Sequence, residues 1–158
     1  MPDLREALEE AGFENVATYV PSGNVVLSTT RSAMRVRSDV ERLLADRFDL
    51  DVKVVVRTRA QLAAVVKRNP FGKVAKDPKL YQVTFLEKAP AAELVGKLEA
   101  VAAGKEQVAH IGRELYAWHP DGVARSKLAA LMAGKGLGVT ATARNWRTVT
   151  KLLELADR

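Results

Sequence analysis

The sequence predicts an α+β fold of two ferredoxin-like halves in tandem, the first of them missing its opening strand. Three observations carry this. Short β-rich runs alternate with amphipathic stretches along the whole chain. A polar stretch containing Pro78 interrupts the pattern near the middle. The elements on either side fall in one order, β-α-β-β-α-β-α after the interruption and α-β-β-α-β-α before it, so they match once a strand is added in front of Leu4. The expected boundaries are residues 1–71 for the first half, 72–79 for a linker and 80–158 for the second half.

Residues 2–11 are expected as a helix, because Leu4, Leu8 and Ala11 recur at i, i+4 and i+7. Gly12 closes it, since the left-handed conformation costs glycine little. Residues 16–20 and 24–28 are β-rich and flank Pro21-Ser22-Gly23, which predicts a hairpin. The next helix runs to Phe48, with Val36, Val40, Leu43, Leu44 and Phe48 as its inward stripe. Ser38 with Glu41 has the capping-box spacing, and Ser32 offers an earlier start. Residues 52–57 are expected as a strand with Val52, Val54 and Val56 on one face. Thr58 and Gln61 form a second capping box, opening a helix with Leu62, Val65 and Val66 inward. Asn69-Pro70 ends it, because the residue before proline leaves the α region.

The second half begins with a strand at 80–86. Pro90 suits the first turn of a helix whose Leu94, Leu98 and Val101 face inward. Residues 107–111 and 114–118 make a hairpin around Gly112-Arg113. A helix at 126–133 turns Leu128, Leu131 and Met132 inward, and residues 139–143 form a strand. Asn145 then caps a final helix that buries Trp146, Val149, Leu153 and Ala156.

Composition bounds the function. A chain of 158 residues with 47% hydrophobic and 28% charged residues can bury a core. It has no cysteine, which excludes disulfides, thiolate zinc sites and a cysteine nucleophile, and a cytoplasmic location is expected. The apolar stretches fall short of a membrane span, and no membrane partner is expected. The net charge of +6 points toward nucleic acid, nucleotides or small anionic metabolites as partners.

The strongest local signal is basic. Between Gly122 and Leu153 there are six Lys or Arg residues (Arg125, Lys127, Lys135, Arg144, Arg147 and Lys151) and no Asp or Glu. Arg144, Arg147 and Lys151 are expected on one face of the last helix, the first two at its N-terminus with Asn145, where the helix dipole favours anions. Trp146 lies in this run and is expected mainly as a core anchor, with base stacking as the alternative. Tyr116 and Trp118 share a strand face and are expected under helices.

Other candidates are weaker. Ser22, Gly23 and Asn24 sit at a hairpin tip, where the same residues serve the turn itself. Asn69 is a candidate for lining a cleft, next to Pro70 and Phe71. His110 and His119 are the two histidines, on neighbouring strands; lacking further ligands at motif spacing, they predict no metal site. Gly134-Lys135-Gly136 lacks the Ser or Thr of a P-loop and follows a helix instead of a strand. No cofactor is expected, and no residue is marked as catalytic.

Tyr19-Val20-Pro21-Ser22-Gly23-Asn24-Val25-Val26 and Ala143-Arg144-Asn145-Trp146-Arg147-Thr148-Val149, with Asn69-Pro70-Phe71 and stretches at 3–12 and 121–128, closely resemble the DUF1697 proteins, bacterial proteins of unknown function. The resemblance runs through essentially the whole chain. It implies an opening strand and a glycine-containing loop of the type Leu-Arg-Gly-Ile-Asn-Val-Gly-Gly ahead of Met1, so Met1 is expected to be an internal methionine taken as the start. The DNA upstream of Met1 decides this; an in-frame stop there removes the expectation. The function expected is a binding module for phosphate-bearing ligands through Arg125, Lys127, Arg144, Asn145 and Arg147. The alternative is an enzyme acting on a small anionic metabolite between the halves, with Ser22, Gly23, Asn24 and Asn69 at its cleft.

Overall fold

The computed structural model describes residues 2–19, 23–133 and 137–158. The chain is a mixed α+β protein with antiparallel sheets, and it divides into two compact units. One holds the residues up to Leu62 together with Lys151–Arg158, and the other holds Ala63–Thr150. Among the described residues, no helix is long and apolar enough to cross a membrane.

In the first unit, α1 (Pro2–Glu10) leads into a hairpin of β1 (Glu14–Tyr19) and β2 (Asn24–Ser28), followed by α2 (Ala33–Phe48). α1 stops where the sequence places its stop. Gly12 takes φ +96°, and the Phe13 N–H reaches back to the Leu8 carbonyl at 3.1 Å. The expected stripes meet in one core: Leu4 and Leu8 of α1 pack with Phe13, Val16 and Val36, and Val40, Leu43, Leu44, Phe48, Val25, Leu27 and Val56 close around them.

Two expectations change here. The N-cap of α2 is Ser32, whose Oγ accepts the Arg35 N–H at 3.2 Å; Ser38 lies inside the helix, and Glu41 instead accepts the Val54 N–H at 2.8 Å. Residues 52–57 form no strand. They have no ladder to join: among the described residues no strand lies against 52–57. The expected box at the start of α3 (Arg59–Lys67) is present in both directions. Thr58 N–H donates to Gln61 Oε1 at 2.9 Å, and Gln61 N–H donates to Thr58 Oγ1 at 3.2 Å.

The second unit is organised by a four-stranded antiparallel sheet, order β4-β5-β3-β6, from β3 (Tyr81–Leu86), β4 (Gln107–Ile111), β5 (Glu114–Trp118) and β6 (Ala141–Asn145). α4 (Ala92–Val101) follows β3 and α5 (Lys127–Ala133) follows β5, giving the order β-α-β-β-α-β that the sequence predicts for this half. The register puts Thr84, Leu115 and Ala143 abreast on one sheet face, and Val83, Tyr116 and Arg144 abreast on the other. The first face carries the apolar core, with Leu86, Leu115 and Ala117 against Leu98 of α4 and Leu128 and Met132 of α5. On the opposite face the buried Tyr116 hydroxyl donates to the Val65 carbonyl of α3 at 2.9 Å. Tyr116 and Trp118 are therefore buried, as their pattern predicts.

β6 ends two residues later than expected, and α6 (Trp146–Ala156) begins directly after it. Asn145 caps α6 as predicted, its Oδ1 accepting the Thr148 N–H at 2.9 Å. Arg144 is thereby a strand residue. The helical face expected for Arg144, Arg147 and Lys151 loses Arg144, because Arg144 pairs with Val83 in β6 and α6 begins only at Trp146.

Candidate functional site

Tyr81, at the start of β3, gathers two of the sequence stretches that stand out above. Its hydroxyl donates to Asn69 Oδ1 at 2.6 Å, and its ring stacks on Trp146 with centroids 4.9 Å apart and planes 23° from parallel. Phe71 meets the same ring edge-on at 6.1 Å. Asn69-Pro70-Phe71 and Asn145-Trp146 thus converge on one buried side chain. Burial raises the Tyr81 hydroxyl pKa, so it remains a neutral donor at physiological pH. It also pushes Tyr116 up to about 12.

Asn69 is held in one orientation. Its Oδ1 also accepts the Phe71 N–H at 3.3 Å, and among the described residues no hydrogen bond engages its Nδ2. A Cβ on Gly72 would stand 3.1 Å from that Nδ2, so glycine leaves the amide room.

The topology collects the expected cations at the same end of the sheet. β3 starts at Tyr81, opposite Trp118, where β5 ends and the chain turns into α5. β6 ends beside Gln82, where α6 begins. Arg125 and Lys127 flank the start of α5, and Arg147 lies in the first turn of α6; all three are exposed. Asn145 belongs to this end, but its side-chain oxygen serves the helix cap. Arg144 sits on the Tyr116 face, partly buried, donating to Thr142 Oγ1 at 2.5 Å and the Ala143 carbonyl at 2.8 Å, and burial lowers its pKa. Lys151 lies 3.5 Å from Glu154. Lys135, with the Gly134-Lys135-Gly136 stretch, falls outside the described residues.

The hairpin-tip candidates belong to the first unit. Ser22 lies outside the described residues; Gly23 takes φ +62°, and Asn24, almost fully buried, donates from Nδ2 to the Tyr19 carbonyl at 3.3 Å. The two histidines are separated along the hairpin. His110 is exposed, its Nε2 2.7 Å from the Gly112 carbonyl oxygen, whereas His119 is fully buried beyond the other end of β5.

A buried polar cluster that the sequence did not single out surrounds His119. Its Nδ1 lies 2.6 Å from Glu106 Oε2, and the Ser126 hydroxyl donates to that same oxygen. Glu106 Oε1 accepts the Ala103 N–H at 3.0 Å. Burial by itself raises the Glu106 pKa, but the hydrogen bonds from His119, Ser126 and Ala103 and the His119 charge outweigh it and hold the carboxyl below the usual range. The signal available in sequence was slight: Glu106 lies in a turn, far along the chain from both partners. Among the described residues no group of three or more His, Cys, Asp or Glu could hold a metal ion.

The profile of the family described as "Protein of unknown function (DUF1697)" matches residues 1–116. The chain belongs to the DUF1697 family. The matched part includes Asn69, Phe71 and Tyr81 and ends before Arg125 and the Arg144–Arg147 stretch. Among solved structures the chain is similar to the conserved bacterial protein SP0830 from Streptococcus pneumoniae. The two are 17% identical with a TM-score of 0.77, and the alignment covers 99% of this chain and 88% of that one. That likeness concerns the fold. A comparison with curated proteins finds no match.

Proposed function

We propose that this DUF1697 protein is a binding module for phosphate-bearing ligands, nucleotide or nucleic acid, which dock at the end of the second sheet where α5 and α6 begin. One observation carries the reading: Arg125, Lys127 and Arg147 come from two separate strand-to-helix connections, and the antiparallel topology places both at one end of one sheet. No Asp or Glu lies between Gly122 and Leu153 to neutralise them. Of the nearby carboxylates, Glu106 is engaged by three donors.

The finer fold reading is part of this proposal. The second unit follows the split β-α-β plan, and the first unit is read as the same plan without its opening strand and with residues 52–57, which join no sheet, in the place of its last strand. Fold alone assigns no chemistry; the cations do.

Titrating the full chain with a short labelled oligouridylate over a range of salt concentrations tests the reading. Affinity is expected to fall steeply as salt rises, with a log–log slope of about −0.7 per phosphate contact. Replacing Arg125, Lys127 and Arg147 together by Ala should abolish it. Absence of binding at low salt, with saturable thermal stabilisation by one small anionic metabolite, would overturn the nucleic-acid reading in favour of an enzyme.

A further inference from the structure

The Glu106 carboxylate is saturated by donors from three separate places in the chain. Ala103 lies in the turn after α4, His119 follows β5, and Ser126 immediately precedes α5. An ionised carboxylate only accepts, so all three hydrogens point at it. The Ser126 oxygen in turn accepts the Ala129 N–H at 3.0 Å, and the Ser126 carbonyl accepts the Ala130 N–H at 3.1 Å. Ser126 thus caps α5 while its own hydroxyl proton is committed to Glu106.

Two features set this cluster apart from ordinary core satisfaction. Glu106 and His119 have side chains only 6% and 0% exposed, so the Glu106 carboxylate stands in a site that disfavours charge. Among the described residues His119 Nε2 is buried without a hydrogen-bond partner, so the ring is oriented from its Nδ1 side, where Glu106 and Ser126 lie. A packed apolar group would avoid both costs. What the cluster supplies is placement. The residue it grips, Ser126, lies between Arg125 and Lys127, the two cations at the start of α5.

We propose that Glu106 is a positioning residue for the ligand-binding end of the second sheet: by gripping Ser126 it fixes the first turn of α5 and aims Arg125 and Lys127 at a ligand phosphate. The proposal rests on the phosphate-binding reading above for its ligand, but the grip itself is tested independently.

Glu106→Gln keeps the size of the side chain and turns an amide donor toward donors already present. Ser126→Ala removes the hydroxyl, and Ser126→Thr restores it. Two readouts on the full chain decide. In hydrogen exchange, Glu106→Gln and Ser126→Ala are expected to speed the Ala129 and Ala130 amides by tenfold or more (about 1.4 kcal/mol) and leave the amides of α4 and α6 as in the wild type, while Ser126→Thr, which keeps the hydroxyl, should exchange like the wild type. In oligouridylate binding, both variants should make the salt slope shallower by about 0.7 per lost phosphate contact, and adding Lys127→Ala should change it little further. α5 amides that exchange as in the wild type overturn the proposal. So does faster exchange with an unchanged salt slope, since that is a structural cap without a positioning role. A wild-type chain that binds no oligonucleotide overturns the ligand reading alone, and the exchange pattern still decides whether Glu106 holds α5.

Discussion

Two segments with similar β patterns meet different fates. Residues 52–57 read Val-Lys-Val-Val-Val-Arg, as strong a strand signal as any in the chain, yet they join no sheet. β6, reading Ala-Thr-Ala-Arg-Asn, has the weaker pattern and pairs with β3 along its length. The difference lies in the neighbours. β6 lies against β3 at the end of a four-stranded sheet, whereas among the described residues no strand lies against 52–57, and the Val54 N–H donates to the Glu41 carboxylate instead. A strand is a property of a pair, and β propensity records how well a residue fits a pleated surface that something else must complete.

The same contrast sets the energetics. In the second sheet Val83, Leu86, Leu115 and Ala117 are fully buried, while in the first hairpin Val25 and Leu27 keep some exposure. Leu115→Ala is therefore expected to give the largest effect, about 2–5 kcal/mol of lost stability, because it opens a cavity between the sheet and α4 and α5. Val25→Ala should cost clearly less. Denaturant melts of both variants check the order, and a larger loss at Val25 would reverse the comparison.

Next in size is the Tyr81 node. Tyr81→Phe deletes the hydroxyl that pins Asn69 while keeping the Trp146 stack, for an expected loss of about 0.5–1.5 kcal/mol. Combined with Asn69→Ala it should cost little beyond the larger single effect, since the one hydrogen bond that Tyr81→Phe removes is also removed by Asn69→Ala. A double-mutant cycle by chemical denaturation measures that coupling; full additivity would mean that the two stretches do not communicate through Tyr81.

How much of this was legible in the sequence follows from the range of each interaction. Caps and stripes are local, so Gly12, the Thr58–Gln61 box, Asn145 and the inward faces of α1 and α2 could be read from spacing. Arg144 was misplaced because helix and strand propensity both tolerate Arg and Asn there, and the choice is made by pairing with Val83. Arg125, Lys127 and Arg147 were visible as a basic run, but that they share one sheet end depends on strand order. Tyr81 and Glu106 were missed for the same reason: their partners lie far along the chain, and nothing in their immediate sequence distinguishes them.

Acid should act on the second unit through Glu106. Its folded pKa lies below its unfolded one, so the stability it contributes is complete above the unfolded value and is lost as pH falls through the folded value. Melts across the acid range should therefore show a Glu106-dependent decline, and Glu106→Gln should remove that part of the slope. An identical acid profile in the variant would mean that folding does not perturb this carboxyl.

The smallest expected effect, at Val52, tests the opening contrast most directly when set beside the same change at Val83. Val52 is 44% exposed and its segment has no strand partner, whereas Val83 is fully buried and paired on both sides. Val→Thr is close to isosteric, so its cost measures whether the new hydroxyl is forced out of water. At Val83 the hydroxyl would be buried and the protein should lose about 1–3 kcal/mol. At Val52 it would reach solvent, and stability should stay within about 0.5 kcal/mol of the wild type. A substantial loss at Val52 in a denaturant melt would show that residues 52–57 are packed against something that buries them, and the two segments would then differ in partner and not in kind.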